Sequence, residues 1–473
     1  MAVSHSHGAG PSRYAWVAFL YFAQGLPAGI INKTLPVVFS AQGVDLAQIG
    51  LLSVAGLPWT FKFLWAPVVD GFGSRRHWVA GCLFGIAALF AVFSTQFAGH
   101  VTAVVWMLLV AVVFLSATQD IAIDAGTIEL FSERELGTAN GIRVMAYRVA
   151  LILAGGLLVS LAAGFKGGFP GLGWPATWRV TALVFAALGV VACFMPSLPR
   201  ASRTAGLALA RKTAVRIALP LAASGFAWWL IGRAVEESSA ALPTLGRFLA
   251  RYQTPLAVLA GLMLSLTSAL RSRPALGEDD SLRRFMDRPG AWVIAFFILT
   301  FKIGDSAMSP MTTPFLNRQA LLSEAEIGLL LNTFGVGGTI LGAMLGGVLT
   351  SRWGIFRALW MLGLFQAFSN LGYVYAASHI STPVVWSVAL CESFCGGLGT
   401  APFLAFMMAI CDKREAATGF AFLSAIYVLS GAIAGGFSGY LAEPLGFGPY
   451  FLLTFLLALP AFAGLGVVKR WLS

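Results

Sequence analysis

Runs of about twenty apolar residues, each closed by a short polar or basic turn, recur along the whole chain. A helix of that length rises 1.5 Å per residue and crosses roughly 30 Å of hydrocarbon. Alternation of apolar and polar positions at period two is absent, so the pattern predicts helices throughout. Six spans are expected at 14–38, 47–69, 77–97, 102–126, 139–163 and 177–195. Six more are expected at 290–315, 325–349, 356–376, 383–411, 416–442 and 447–468. Two further apolar stretches, 214–235 and 248–270, lie between the sets, which makes about fourteen spans. The expected organisation is an all-α integral membrane protein. Residues 1–12 form a cytoplasmic tail, 13–198 a first six-helix half, 199–289 a basic linker with two extra transmembrane helices, and 290–473 a second six-helix half.

Composition agrees with the pattern. Hydrophobic residues make up 58% and charged residues 11%, and the mean hydropathy is +0.81, far from the quarter or so of charged residues usual in soluble domains. The formal charge of +11 is unevenly placed. Basic residues crowd at Arg75 and Arg76, in 200–216 and 271–288, at Arg352 and Arg357, at Lys413 and Arg414, and at Lys469 and Arg470. All fall on one side of the segmentation; the opposite loops hold few, such as Lys166 and Arg318. The positive-inside rule then puts both termini in the cytoplasm and accounts for the charge with no nucleic-acid partner. Two extra helices in the middle preserve the orientation of the second half. The five cysteines fall within or at the ends of spans, without metal spacing, and read as packing residues. The first span is too long for the core of a cleavable signal peptide.

The chain repeats itself. "DLAQIGLL" from Asp45 and "SEAEIGLL" from Ser323 each open with a capping residue, followed three positions on by Gln48 or Glu326. About twenty residues later come the basic turns "DGFGSRR" from Asp70 and "SRWGIFR" from Ser351. Both repeats have the same orientation within their six spans, a parallel arrangement used by transporters. Glycines four apart, at Gly338, Gly342 and Gly346 and at Gly431, Gly435 and Gly439, let helix backbones approach closely. They serve either tight packing within one half or, as preferred here, the seam where two halves rock. Pro27, Pro58, Pro67, Pro310, Pro314 and Pro402 are placed to bend spans.

A charge near mid-bilayer costs on the order of 3 kcal/mol on insertion scales, so each needs a partner, water or a task. Lys33, Lys62, Asp120, Asp124, Arg143, Arg148, Lys302, Asp305 and Glu392 are in that position. Depth counting puts Lys62, Asp120, Asp124, Arg143 and Arg148 at one level, with the two aspartates on one helical face. Such a cluster is either a static network that steadies the cytoplasmic side or a ligand-facing and coupling site. Asp120, Asp124, Asp305 and Glu392 are the candidate proton-coupling acids. Lys62, Arg148 and Lys302 are the candidate contacts for an anionic solute; Trp59, Phe61, Trp65 and Tyr147 beside them read by default as membrane core packing, with stacking on sugar rings as the alternative. No span carries a metal cluster, a nucleophile paired with histidine, or a phosphate-binding loop, so no enzyme and no cofactor are expected.

"YFAQGLP", "GLPWTFKFLWAPVVD", "SATQDIAIDA", "AYR", "FKIGDSA", "LGLFQAFSNLGY" and "ESFCGGLGTAPFLAFMMAICDKREAATGFAFLSA" resemble the AmpG-type muropeptide permeases, in the peptide/acetyl-coenzyme A branch of the major facilitators. The resemblance runs through both halves and is weakest in 199–287. It implies a major facilitator fold in the bacterial inner membrane. It also implies import of N-acetylglucosaminyl-anhydro-N-acetylmuramyl peptides from periplasm to cytoplasm, driven by the proton gradient and carried out by a monomer. Gln24, Lys62, Asp120, Asp124, Tyr147, Arg148, Lys302, Asp305 and Glu392 stand in the matching polar motifs. The basic turns are similar to the superfamily's cytoplasmic gate signature, through Asp70, Gly73 and Arg76 and through Arg352, Gly354 and Arg357. Lys33, in "IINKTLP", departs from the family pattern and is expected to bear on substrate choice. The rival readings are a carrier of another bulky anion, such as a coenzyme A thioester or a siderophore, and a non-transporting receptor.

Overall fold

The computed structural model describes residues 11–62, 65–71, 73–96, 102–130, 133–164, 170–196, 289–410 and 416–472. The tail to residue 10 and nearly all of the expected linker lie outside the described residues, including the two stretches 214–235 and 248–270. The described residues are helical, with no strand among them. Eight of their helices are long and apolar enough to cross a membrane, or nine if Phe447–Ala463 and Leu465–Leu472, bent by 47°, form one span.

The chain divides into two compact units, Met1–Val38 with Phe61–Arg216, and Phe39–Thr60 with Ile217–Ser473. The long helices are α1 (Pro11–Gly29), α2 (Leu46–Ala55), α3 (Arg75–Gln96), α4 (Ala103–Leu130), α5 (Glu133–Ile152) and α6 (Trp174–Ala192). They continue with α7 (Ala291–Phe301), α8 (Ile303–Pro314), α9 (Gly335–Trp353), α10 (Ile355–Ser378), α11 (Thr382–Ala409), α12 (Ala416–Leu445) and α13 (Phe447–Ala458). The second expected span is not one helix: it breaks into Leu46–Ala55, Leu57–Phe61 and Ala66–Gly71. Pro58 and Pro67 follow the breaks, each lacking the amide hydrogen that would continue the ladder.

In the first unit α1 packs on α5 and α4, and α3 packs between α4 and α6. Gly25 and Gly29 set the closeness of α1 to α5, since a Cβ at either would overlap Ala150 or Ala154. Trp178, Phe90 and Phe185 stack in the α3–α6 core. Trp65 belongs to a packed core too: it is 7% exposed, stacks on Phe114 at 4.7 Å, and donates its indole N–H to Thr118 at 3.1 Å. That is the default reading of this residue as core packing, against its alternative as a sugar platform; a tryptophan whose one donor is satisfied inside the core has no face for a solute.

In the second unit α11 lies between α9 and α10, α10 packs on α13, and α8 packs on α12 and α13. The two glycine stripes part company here. Gly342 and Gly346 rest against the Phe394 and Leu398 carbonyls of α11, so that stripe serves packing within the second set of helices. Gly435 and Gly439 of α12 rest against Ser53 and the Leu46 carbonyl of α2, which comes from the first set of expected spans.

Details bear out the repeat. The first span of each set contains a π-helical turn: Ile30–Thr34 lies inside it, with α-helix resuming over Leu35–Ala41, and Phe315–Gln319 closes it in the second set. Gly73 and Gly354 of the basic turns have φ of +70° and +78°, a region that side chains bearing a Cβ rarely adopt. The capping box forms at Ser323 and Glu326 only; Asp45 caps its helix without a side-chain hydrogen bond.

Candidate functional site

Three helices and one broken span of the first unit meet at a charged cluster. Lys62 follows the short helix Leu57–Phe61, and its Nζ donates to Asp120 Oδ2 at 3.1 Å and Asp124 Oδ2 at 3.0 Å. The spacing of four along α4 points both carboxylates at one ammonium. Tyr21 of α1 donates its hydroxyl to Asp124 Oδ1 at 2.8 Å, and Arg143 of α5 stands 3.7 Å from the same oxygen. The Arg143 guanidinium also lies over the Tyr21 ring, 4.7 Å from its centre. Tyr147, one turn further along α5, lies close to Asp120 and Lys62 and has its ring against Gly25.

The two acids are not equivalent. Asp124 is the more exposed, yet both of its oxygens are engaged. Asp120 is 8% exposed, and its Oδ1 has no hydrogen-bond partner among the described residues. Gln119 is wholly buried beside it with both amide atoms in the same condition, as is Oε1 of Gln24. A proton placed on Asp120 Oδ1 therefore displaces no existing bond, whereas one on Asp124 must displace Lys62 or Tyr21.

Of the two arginines expected at this level, Arg143 reaches Asp124, while Arg148 makes no ion pair with Asp120 or Asp124 and lies near Tyr147. Tyr21 is the partner that reading charges alone overlooks. Its signal is a phenol inside an apolar helix, which needs an acceptor when buried. Replacing Tyr21 by Phe removes a hydrogen bond to a charged group, worth roughly 1.5–3 kcal/mol. Purified Tyr21→Phe should melt earlier than wild type in detergent by scanning fluorimetry, and an unchanged melt would mean that Tyr21 does not steady Asp124.

The second unit has a smaller pair. Lys302 sits at the break between α7 and α8, with φ −107° and ψ 6°, and it is 4% exposed. Its Nζ reaches Asp305 Oδ2 and the Gly396 carbonyl, both at 3.3 Å. Asp305 lies in the first turn of α8, where the helix dipole favours an anion. Glu392 of α11 is near enough to act electrostatically on Lys302. The expected grouping of Lys302, Asp305 and Glu392 is thus present in the structure.

The remaining expected residues lie elsewhere. Trp59 rests on Gly56 in the second unit, and Lys33 is half-buried in the first π-helical turn. Arg352 and Arg357 are exposed and Arg76 is partly so; the side chains of Asp70 and Phe61 lie outside the described residues. Among the described residues no group of three or more His, Cys, Asp or Glu is arranged to hold a metal ion.

Comparison with known proteins decides the family. The anhydromuropeptide permease of Escherichia coli K12 is 30% identical over 472 residues, covering 98% of this chain and 80% of the relative. The chain belongs to the AmpG-type permease family. A putative transporter AmpG 4 of Rickettsia conorii is 23% identical, covering 94% of each chain. A family model described as acetyl-coenzyme A transporter 1 matches residues 13–164. Among solved structures, an inward-facing, unoccupied bacterial homologue of the human lysosomal transporter Spinster is 15% identical, covering 98% of each chain, with a TM-score of 0.62. A POT family transporter in complex with 5-aminolevulinic acid is 14% identical, covering 98% of this chain and 97% of its own, with a TM-score of 0.67. At such identity these likenesses concern the fold alone, which is of the major facilitator type. The protein is a multi-pass membrane transporter, and its relatives are named as carriers and not as enzymes.

Proposed function

We propose that this transporter imports anhydromuropeptides across the bacterial inner membrane together with protons, by alternating access, with both termini in the cytoplasm. The observation that carries the reading is the unequal acid pair on Lys62. Asp124, held by Tyr21, keeps the ammonium in place, and Asp120 keeps one buried oxygen open to a proton. Protonating Asp120 weakens its hold on Lys62, which then has a positive charge to offer an anionic solute. Losing the proton restores the pair and releases the solute. A coupled carrier needs this kind of differential binding between its states. In the second unit Lys302 and Asp305 have the makings of a second contact, with Glu392 beside them.

The substrate class rests on the Escherichia coli permease. A second reading, a coenzyme A thioester, rests on the family model that matches residues 13–164. Both solutes are bulky anions, and competition separates them. In proteoliposomes preloaded with unlabelled anhydromuropeptide, counterflow of the labelled N-acetylglucosaminyl-anhydro-N-acetylmuramyl peptide should be rapid and indifferent to excess acetyl-coenzyme A. Counterflow of acetyl-coenzyme A, with none of the glycopeptide, would transfer the assignment to the thioester.

A further inference from the structure

One face of α10 bears three polar side chains that the charged pairs leave unexplained. Gln366, Asn370 and Tyr373 follow one another at spacings of four and three, on one side of a helix. They are 4%, 0% and 0% exposed. Gln366 Oε1, both amide atoms of Asn370 and the Tyr373 hydroxyl have no hydrogen-bond partner among the described residues.

The surroundings are shaped to admit these groups. The Gln366 amide lies where a Cβ at Gly399 of α11 would be, and the Asn370 amide lies 3.5 Å from where a Cβ at Gly304 of α8 would be. Gly399 thus makes room for the Gln366 amide, while Gly304 admits the Thr454 carbonyl next to Asn370. The Asn370 amide faces the Asp305 carboxylate and the Thr312 hydroxyl faces that of Tyr373, in contacts that fall short of formed hydrogen-bond geometry, and Glu392 acts electrostatically on Tyr373 as it does on Lys302. Phe315 and Phe451 wall the Tyr373 ring at 5.9 and 5.2 Å between centres. A solute-sized ligand has no room against side chains this deeply buried. Water fits the chemistry, since each molecule both donates and accepts, and buried polar groups without protein partners are where internal waters bind.

We infer that the Gln366–Asn370–Tyr373 face is a built water site, and that its waters solvate Lys302 and Asp305 when their ion pair opens. An ammonium and a carboxylate parting inside an apolar helix bundle lose their mutual attraction with no replacement. Waters anchored on the α10 amides supply acceptors to Lys302 and donors to Asp305 at that moment, so the pair opens without either charge being left bare. Asn370 is then a positioning residue for coupling. This role rests on the proton-coupled reading above; the water site itself does not.

Radiolytic hydroxyl labelling of the intact protein in detergent, without substrate, tests the site, because radicals formed from bound water oxidise the side chains they touch. Tyr450 is an internal control: it is 1% exposed and donates its hydroxyl to the Ala307 carbonyl at 2.7 Å. Tyr373 should be oxidised about fivefold faster than Tyr450. Asn370→Leu, close to isosteric and relieving both orphaned amide atoms, should fold and bring Tyr373 down to the rate of Tyr450; Gln366→Leu gives a second variant if it does not. Equal rates in wild type would overturn the site.

The role is read from transport of the labelled glycopeptide. Asn370→Leu should keep counterflow and lose accumulation against a gradient. Normal accumulation, or loss of counterflow by folded protein, would overturn the role. Failure of wild type to carry the glycopeptide would instead count against the substrate reading and leave the labelling result standing.

Discussion

Asp120→Asn should abolish concentrative uptake of the glycopeptide, lowering it at least about 100-fold, while solute exchange continues. The amide is the size of the carboxylate, and its oxygen still accepts from Lys62. It has no proton to gain or lose. Lys62 therefore stays permanently in the arrangement that protonated Asp120 gives it, with Asp124 as its one carboxylate partner. Uptake down a gradient and counterflow need only that the site bind and reorient, and both should persist. Asp124→Asn should behave differently, because it disturbs Lys62, Tyr21 and Arg143 together; loss of counterflow along with accumulation is expected. Full accumulation by Asp120→Asn would remove Asp120 from coupling.

Bridging residue 40 to residue 317 should stop transport completely and reversibly. Phe39–Thr60 is joined at both ends to chain of the first unit, yet it packs in the second. Ser40 donates to the Asn317 side chain at 3.3 Å, and Arg318 donates to the Val44 carbonyl. Beyond that loop, α2 lies against α12 with Gly50 against Gly435 and Ser438, and Gly439 against Leu46. On the alternating-access reading proposed above, the 39–60 segment moves with the first unit, and this contact is released once per cycle. In a background whose five cysteines are replaced, Ser40→Cys with Asn317→Cys, joined by a short cleavable thiol cross-linker, should show no counterflow. A reducing agent should restore it. Undiminished counterflow by the cross-linked protein would mean that the 39–60 segment stays on the second unit throughout the cycle.

Much of the fold was legible because hydrocarbon imposes simple requirements. Apolar length marks the spans, and α3, α4 and α11 lie within a few residues of where it puts them. The repeat was legible from "IGLL" and the basic turns, and Gly73 and Gly354 confirm it in their backbone. The π-helical turns with Asn-Lys and Asn-Arg were not, since π-helical geometry has no periodicity of its own in so short a segment.

In the candidate site, the cost of buried charge singled out Lys62, Asp120, Asp124, Lys302 and Asp305, which the structure joins in ion pairs. The same screen passed over Tyr21, Gln366, Asn370 and Tyr373, because uncharged polar groups hardly alter hydropathy even where they carry the hydrogen bonding. It left the pairing of Arg143 and Arg148 undecided: depth along a helix is readable from sequence, but the angle of approach of a neighbouring helix is not. The two glycine stripes look alike on paper. Only long-range packing tells that one meets α11 and the other α2.

Coupling is the central claim, and proton movement tests it directly. Proteoliposomes holding the wild-type protein and a pH-sensitive dye, with no imposed gradient, would receive the anhydromuropeptide from outside while lumenal pH and solute entry are followed together. Lumenal acidification that begins with solute entry, and is absent with Asp120→Asn although solute still enters, is the predicted result. Solute entry by wild type with no change in lumenal pH would contradict it.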